Sequence, residues 1–261
     1  MKKLLYLLLV LLSSVTAYSQ MLFSENLTMT IDSTKTLQGS LMPEIDFKTE
    51  KENIFTFKNT ANLNLLINHN RVINIINKFE LSTYGKQVTL SGGYVHMEYR
   101  YLLDHAFEVY PYVESQWAES RGMIHKISSG LQSRYRLVNT NSSLMFVALG
   151  LFFEYEKWQH PTPDANTPEH AYSRSLKTHL SLSYKIQLAK KWGLTTTAIH
   201  QGKPDSTYFK EARFGGALDL NYSITNAIGI RGAYRLIYDT APIVPIKKDY
   251  HSVEVGLTVS F

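Results

Sequence analysis

From His251 to the C-terminus, apolar side chains occupy every second position: Val253, Val255, Leu257, Val259 and Phe261. Ser252, Glu254, Gly256, Thr258 and Ser260 lie between them. A repeat of two is the pattern of a strand with one apolar face. It recurs along the chain, whereas helical periodicity is hard to find. Twelve strand-length segments follow: 35–48, 53–68, 71–84, 87–101, 106–118, 122–137, 142–156, 173–188, 192–202, 211–222, 226–238 and 249–261. In 173–188, Leu176, Thr178, Leu180, Leu182, Tyr184 and Ile186 share one face, opposite Lys177, His179, Ser181, Ser183 and Lys185. In 226–238, Ile228, Ile230, Tyr234, Leu236 and Tyr238 oppose Gly229, Arg231, Ala233 and Arg235. A soluble sheet would need a second layer over such a face, but lipid can cover it around a membrane barrel. Slipping 226–238 by one residue would turn two arginines into hydrocarbon, at about 2–4 kcal/mol each near the midplane. That cost assigns the lumen and lipid faces. The predicted fold is all-β, a transmembrane antiparallel up-and-down barrel of about twelve strands. Segment 142–156 is apolar on both faces and leaves its own register open.

The connections test this count independently. Barrels of this kind keep periplasmic turns short and let external loops grow. With both termini periplasmic, the connections after even-numbered strands are brief, around His69-Asn70, Asp104-His105, Asn139–Asn141, Lys190-Lys191 and Asn226. The three longest follow strands seven, nine and eleven, the first of them K-W-Q-H-P-T-P-D-A-N-T-P-E-H-A-Y. Asn26 to Asp32 also alternates, but as a thirteenth strand it would break the parity. Residues 20–34 are therefore expected to form a periplasmic extension, and 35–261 the barrel. Ahead of them, Lys2 and Lys3, the apolar run Leu4 to Leu12 and the small-x-small site Ala17-Tyr18-Ser19 predict a secretory signal over 1–19. The apolar run is about half of the roughly 20 residues that a helical span needs. Aromatic residues fall where the interfaces should lie: Trp117, Tyr238 and Tyr250 near outer strand ends, Tyr135, Tyr184, Trp192, Tyr222 and Phe261 near inner ones. The expected location is the outer membrane of a Gram-negative bacterium, with outer-membrane lipids as partners.

Composition narrows the chemistry. The chain of 261 residues has no cysteine, which excludes a disulfide scaffold, a thiolate metal site and a cysteine nucleophile. Its 27 basic and 22 acidic residues are scattered singly, without the basic runs that nucleic-acid binding favours. No G-x-G-x-x-G, P-loop or His-Glu-x-x-His motif occurs, and no cofactor or metal is expected.

The densest polar constellation is G-G-Y-V-H-M-E-Y-R-Y (Gly92 to Tyr101), followed by F-E-V-Y-P-Y-V-E-S-Q-W (Phe107 to Trp117). With Val95, Met97 and Tyr99 toward lipid, Tyr94, His96, Glu98 and Arg100 face the lumen. With Phe107, Val109 and Val113 outward, Glu108, Tyr110, Tyr112, Glu114 and Gln116 face in. A tight turn about Leu103–His105 sets Arg100 opposite Glu108, His96 opposite Tyr112 and Tyr94 opposite Glu114. The next two hairpins place Lys126 between Glu114 and Glu154. Together with Arg134, Arg136, Arg231, Arg235 and Glu254, these residues form the expected lumen network. Acids and bases alternate around the wall, which favours a hydrogen-bonded filling over a one-sign pore lining. Arg134/Arg136 and Arg231/Arg235 are the candidates for an anion-preferring wall. The function expected is a narrow or gated channel, passing small ions or solutes, or a structural barrel.

The alternative is an outer-membrane lipid hydrolase, which needs a serine and a histidine within hydrogen-bond reach at the outer rim. His125, His200 and His251 are expected there, pointing outward, but none has a serine two residues away on its own face; the His179-Leu180-Ser181 triplet points inward. No catalytic residue is assigned. His160 and His170 share the longest loop, separated by ten residues, a weak metal signal.

The Y-V-H-M-E-Y-R-Y and Y-P-Y-V-E-S-Q-W segments, the R-G-M that follows and the R-Y-R-L at Arg134 to Leu137 resemble the uncharacterised family of salt-induced outer-membrane proteins, particularly its Bacteroidetes-type members. The likeness is best over about Lys48 to Trp158. It implies an outer-membrane barrel and no reaction or ligand. It also implies that the terminal strand and Phe261 form the recognition signal for the barrel assembly machinery.

Overall fold

The computed structural model describes residues 35–49, 52–101, 106–164 and 167–260. The expected signal, the extension with Asn26–Asp32, and Phe261 lie outside them. Twelve strands run in sequence order around one closed antiparallel barrel. They are β1 (Leu37–Thr49), β2 (Asn53–Asn68), β3 (Arg71–Tyr84), β4 (Gln87–Tyr101), β5 (Phe107–Ala118), β6 (Met123–Asn139), β7 (Ser143–Gln159), β8 (His170–Ala189), β9 (Trp192–Gly202), β10 (Ala212–Ser223), β11 (Ile228–Asp239) and β12 (Asp249–Ser260). A single 3-10 turn, Glu119–Arg121, joins β5 to β6.

The faces fall as the alternation requires. Leu63, Met97, Leu131, Leu180, Leu218 and Val255, from strands all round the wall, are exposed outward. Lys177, His179, Ser181 and Ser183 of β8 are buried inward, as are Arg231 and Ala233 of β11. In β7 the structure decides what the sequence left open. Leu149, Leu151 and Phe153 point out, while Phe146, Ala148, Phe152 and Glu154 point in. Placing arginine at Leu151 is therefore expected to cost about 2–4 kcal/mol of folded stability in a bilayer. Urea titration in lipid vesicles checks this, and an unchanged midpoint would mean that the two faces are reversed.

Three expectations need correction. β7 and β8 pair as far as Gln159↔His170, so Lys157, Trp158 and Gln159 leave the expected loop and join the wall. Trp158 turns inward and packs with Ala118, Met123 and Val244, which extends the ladder beyond the apolar belt. Tyr250 belongs to no girdle: it faces the lumen beside Ile199, Ala217 and Ile237. The β4–β5 register differs by two residues. His96 opposes Glu114, Glu98 opposes Tyr112 and Tyr94 opposes Gln116. Among the described residues, the pair nearest the turn is Tyr101↔Val109.

A barrel of twelve strands is wider than the eight-stranded size that side chains just fill. Large inward side chains from β3 to β7, among them Ile76, Tyr94, Arg100, Tyr110, Arg134 and Phe146, are buried. The wall from β8 to β12 mixes small buried ones, Ser181, Ser183, Thr195, Thr197, Ala217, Ala233 and Ser252, with large ones such as His179, Arg231 and Tyr250. At Gly130 a Cβ would lie 2.4 Å from the Leu151 carbonyl oxygen and 2.5 Å from Phe152 Cβ, so glycine is what lets Phe152 enter the lumen at that level.

Candidate functional site

The lumen holds its charges in tiers. At the short-turn end, Glu108 accepts hydrogen bonds from Arg134 Nη2 at 2.6 Å and Arg136 Nη2 at 3.3 Å. Arg134 also lies over the Phe146 ring, 4.3 Å from its centroid. Arg100 donates through Nε to Glu98 at 2.6 Å. Beside them, Asn74 Nδ2 donates to Asn62 and Asn64 at 2.7 and 2.6 Å. A guanidinium resting on an aromatic ring while bonded to carboxylate keeps its charge satisfied without water.

Midway, His96 presents Nδ1 to Glu114 at 3.3 Å and Nε2 to Glu98 at 3.2 Å, its ring stacked on Tyr112. Only the imidazolium can donate from both nitrogens at once. On the facing wall Asp219 accepts from Arg231 Nε at 2.8 Å and from Arg235 Nη2 at 2.9 Å. Lys78 and Glu254 form an ion pair that spans the chord over β2 and β1, tying β3 to β12.

Toward the long-loop end, Arg213 joins three carboxylates. Its Nη1 lies 3.0 Å from Glu154, Nη2 2.7 Å from Glu156 and Nε 2.9 Å from Asp239. Lys126 reaches Glu154 at 3.1 Å and Glu114 at 4.0 Å, and Lys177 pairs with Glu154 as well. Arg213 thereby ties β10 to β7 across the lumen. Above this tier the β11–β12 connection folds back over the mouth. Val244 is buried against Ala118, Met123 and Trp158, and Ile246 packs on the cluster around Tyr250.

Outside that cap lies a vestibule of about 610 Å³, lined by Ser120, Arg121, Gln159, His160, Ile246, Lys247, Asp249 and Tyr250 among others. The Arg121 guanidinium sits 3.7 Å from the Tyr250 ring centroid. Burial lowers its proton affinity from the usual arginine value, which its contact with Tyr250 counteracts.

The sequence placed Tyr94, His96, Glu98, Arg100, Glu108, Tyr112, Glu114, Lys126, Arg134, Arg136, Glu154, Arg231, Arg235 and Glu254 in one lumen. All of them point there. The anion-preferring wall is not what the cations build: Arg134 and Arg136 converge on Glu108, and Arg231 and Arg235 on Asp219. Arg213, Asp219, Glu156, Asp239, Lys78 and Glu80 were missed. Arg213 and Asp219 carried a usable signal, since both share parity with Gly215 and Ala217 opposite Phe214, Leu218 and Leu220.

At the rim, His251 Nδ1 and the Tyr234 hydroxyl share a hydrogen bond of 2.7 Å. His200 is enclosed by the rings of Tyr208, Phe209 and Phe214. Among the described residues neither histidine is hydrogen-bonded to a serine, and the hydrolase alternative gains no support. In the longest loop, His160 Nδ1 accepts from the Thr162 N–H at 3.3 Å. Among the described residues no group of three possible metal ligands is clustered.

A closed antiparallel barrel with a lipid-facing apolar belt, charges turned inward and its three longest connections at one end is an integral membrane β-barrel of the outer-membrane type. The chain belongs to the family described as protein of unknown function, DUF481, whose profile matches residues 44–261. It is similar in fold to the translocator domain of the autotransporter NalP from Neisseria meningitidis, with TM-score 0.52 and 13% identity over 91% of this chain and 92% of that one. The NanC porin aligns at TM-score 0.46 and 12% identity, over 86% of this chain and 98% of its own. The KdgM porin, in complex with disordered oligogalacturonate, aligns at 0.43 and 11%, over 86% and 99%. No curated protein matches the sequence.

Proposed function

We propose that this protein is a gated channel of the Gram-negative outer membrane, closed at rest. The observation that carries this reading is the pair of cross-lumen ties, Lys78–Glu254 and Arg213–Glu154/Glu156, lying under the apolar cap at Val244. An ion-paired filling can be displaced tier by tier, because each charge finds water once its partner moves; a hydrocarbon filling has no such substitute.

Planar bilayer recording tests the proposal. The natural barrel is expected to be silent apart from rare openings. Lys78→Met with Glu254→Gln, combined with glycine and serine in place of Ile243 to Ile246, is expected to give discrete conductance steps. Folding of the variant is checked by its gel mobility before and after boiling. A folded but silent variant would leave a structural barrel as the correct assignment.

A further inference from the structure

Among the described residues, the ladder that closes the barrel has two pairs, Ser40↔Ser260 and Leu41↔Val259. The neighbouring β11–β12 ladder runs unbroken from Ile228↔Val259 to Tyr238↔Asp249. Hydrogen-bond parity explains where the seam stops. The Leu66 N–H donates to the Thr36 carbonyl at 2.8 Å, so even-numbered residues of β1 bond to β2 and odd-numbered ones face β12. The Ser260 N–H donates to the Ala227 carbonyl, and the Asp239 N–H to the Lys248 carbonyl, so odd-numbered residues of β12 face β1. Leu41 and Val259 are thus a bonded couple. The next odd position of β1 is Pro43, which has no N–H to give. Beyond it the amides of Ile45, Phe47, Val253, Val255 and Leu257 face the seam without strand pairing across it.

Backbone of this kind is tolerated at membrane depth only where it is buried in protein or lines a water-filled cavity. The vestibule is a cavity at the extracellular end of the same strand. It is lined by Tyr250, which faces the lumen, and also by His251, which faces outward, so it reaches round the extracellular end of β12. Below, Met42 closes the seam from inside: a Cβ at Gly256 would lie 3.1 Å from Met42 Cγ. The outward face of the seam meets the outer leaflet, and β12 runs from it to the vestibule at Asp249 and His251. An inserted strand fits it poorly, because β1 and β12 are antiparallel and any strand between them would be parallel to one.

We propose that the seam between β1 and β12 is a lateral port for an acidic lipid of the outer leaflet. The head group enters between the strands, accepting hydrogen bonds from the seam amides, and meets Arg121 and Lys247 in the vestibule. Its acyl chains stay in the bilayer against Ile45, Phe47, Val253 and Val255, all on the outward face. The port is distinct from the axial channel and does not depend on it.

The test uses the full barrel in phosphatidylcholine vesicles carrying phosphatidic acid with a diazirine in one chain. After irradiation, label is expected on β1 and β12. Arg121→Gln with Lys247→Gln should weaken labelling about tenfold, the size of a lost charge-assisted contact. Joining Ile45→Cys to Val255→Cys by a disulfide, unambiguous in a chain without cysteine, should abolish it. Pro43→Val, which restores the missing donor, should reduce it by zipping the seam. In the unlabelled protein, the amides of Ile45, Phe47, Val253 and Val255 should exchange with deuterium much faster than those of β2 and β3. Label spread evenly to Leu149, Leu151 and Phe153, equal labelling by a phosphatidylcholine probe, a cross-linked dimer through the seam, or protected seam amides would each overturn the port. None of these outcomes bears on whether the lumen conducts.

Discussion

Replacing Arg213 with methionine is expected to destabilise the barrel by about 3–5 kcal/mol, the usual cost of removing one partner from a buried ion pair. The reason is the company it keeps. Glu154, Glu156 and Asp239 all lie within 3.0 Å of its guanidinium nitrogens. Lys126 and Lys177 would still neutralise Glu154, but Glu156 would keep the indole N–H of Trp158, at 3.3 Å, and the more distant charge of Lys177. The measurement is the temperature at which the folded form disappears on unboiled gels. Arg213→Lys should fall between, because an ammonium cannot reach three carboxylates in a fork. Arg213→Met with Glu156→Gln should recover part of the loss, since the orphaned charge then goes too. A single variant as stable as the parent would mean that water already shares this tier.

The second large effect is steric. Valine at Gly130 is expected to cost about 1–3 kcal/mol, the common range for overpacking, and to lower the yield of folded barrel. Its Cβ would meet the Leu151 carbonyl oxygen at 2.4 Å, and backbone in a β6–β7 ladder cannot swing away as a side-chain tip can. Phe152→Ala should not rescue the variant, because the other close contacts are with Phe152 Cβ and Cα, which alanine keeps. Full rescue by that change would place the crowding in the ring and overturn the account.

Both residues show how differently the two levels of description treat this chain. Gly130 is, in the sequence, one glycine in a strand. Its role comes from Phe152, whose inward direction the apolar run of β7 could not reveal. Arg213 shares parity with Asp219 and was legible as a lumen residue. Its three carboxylates come from β7 and β11 and could not be paired with it by local pattern.

What the sequence determined by itself is the wall. Alternation assigns faces because side chains of a strand point to opposite sides with period two, and burying arginine in lipid is too costly for any other phase. Strand number and the parity of the connections follow from the same pattern. The tertiary structure decided everything that crosses the lumen or the seam. The Lys78–Glu254 tie, the Val244 cap and the closure at Leu41 join residues whose distance depends on stagger and cross-section, which no single strand encodes. Even Pro43, plain in the sequence, acquires meaning only there. Its missing N–H matters because the register turns that position toward β12 and not β2.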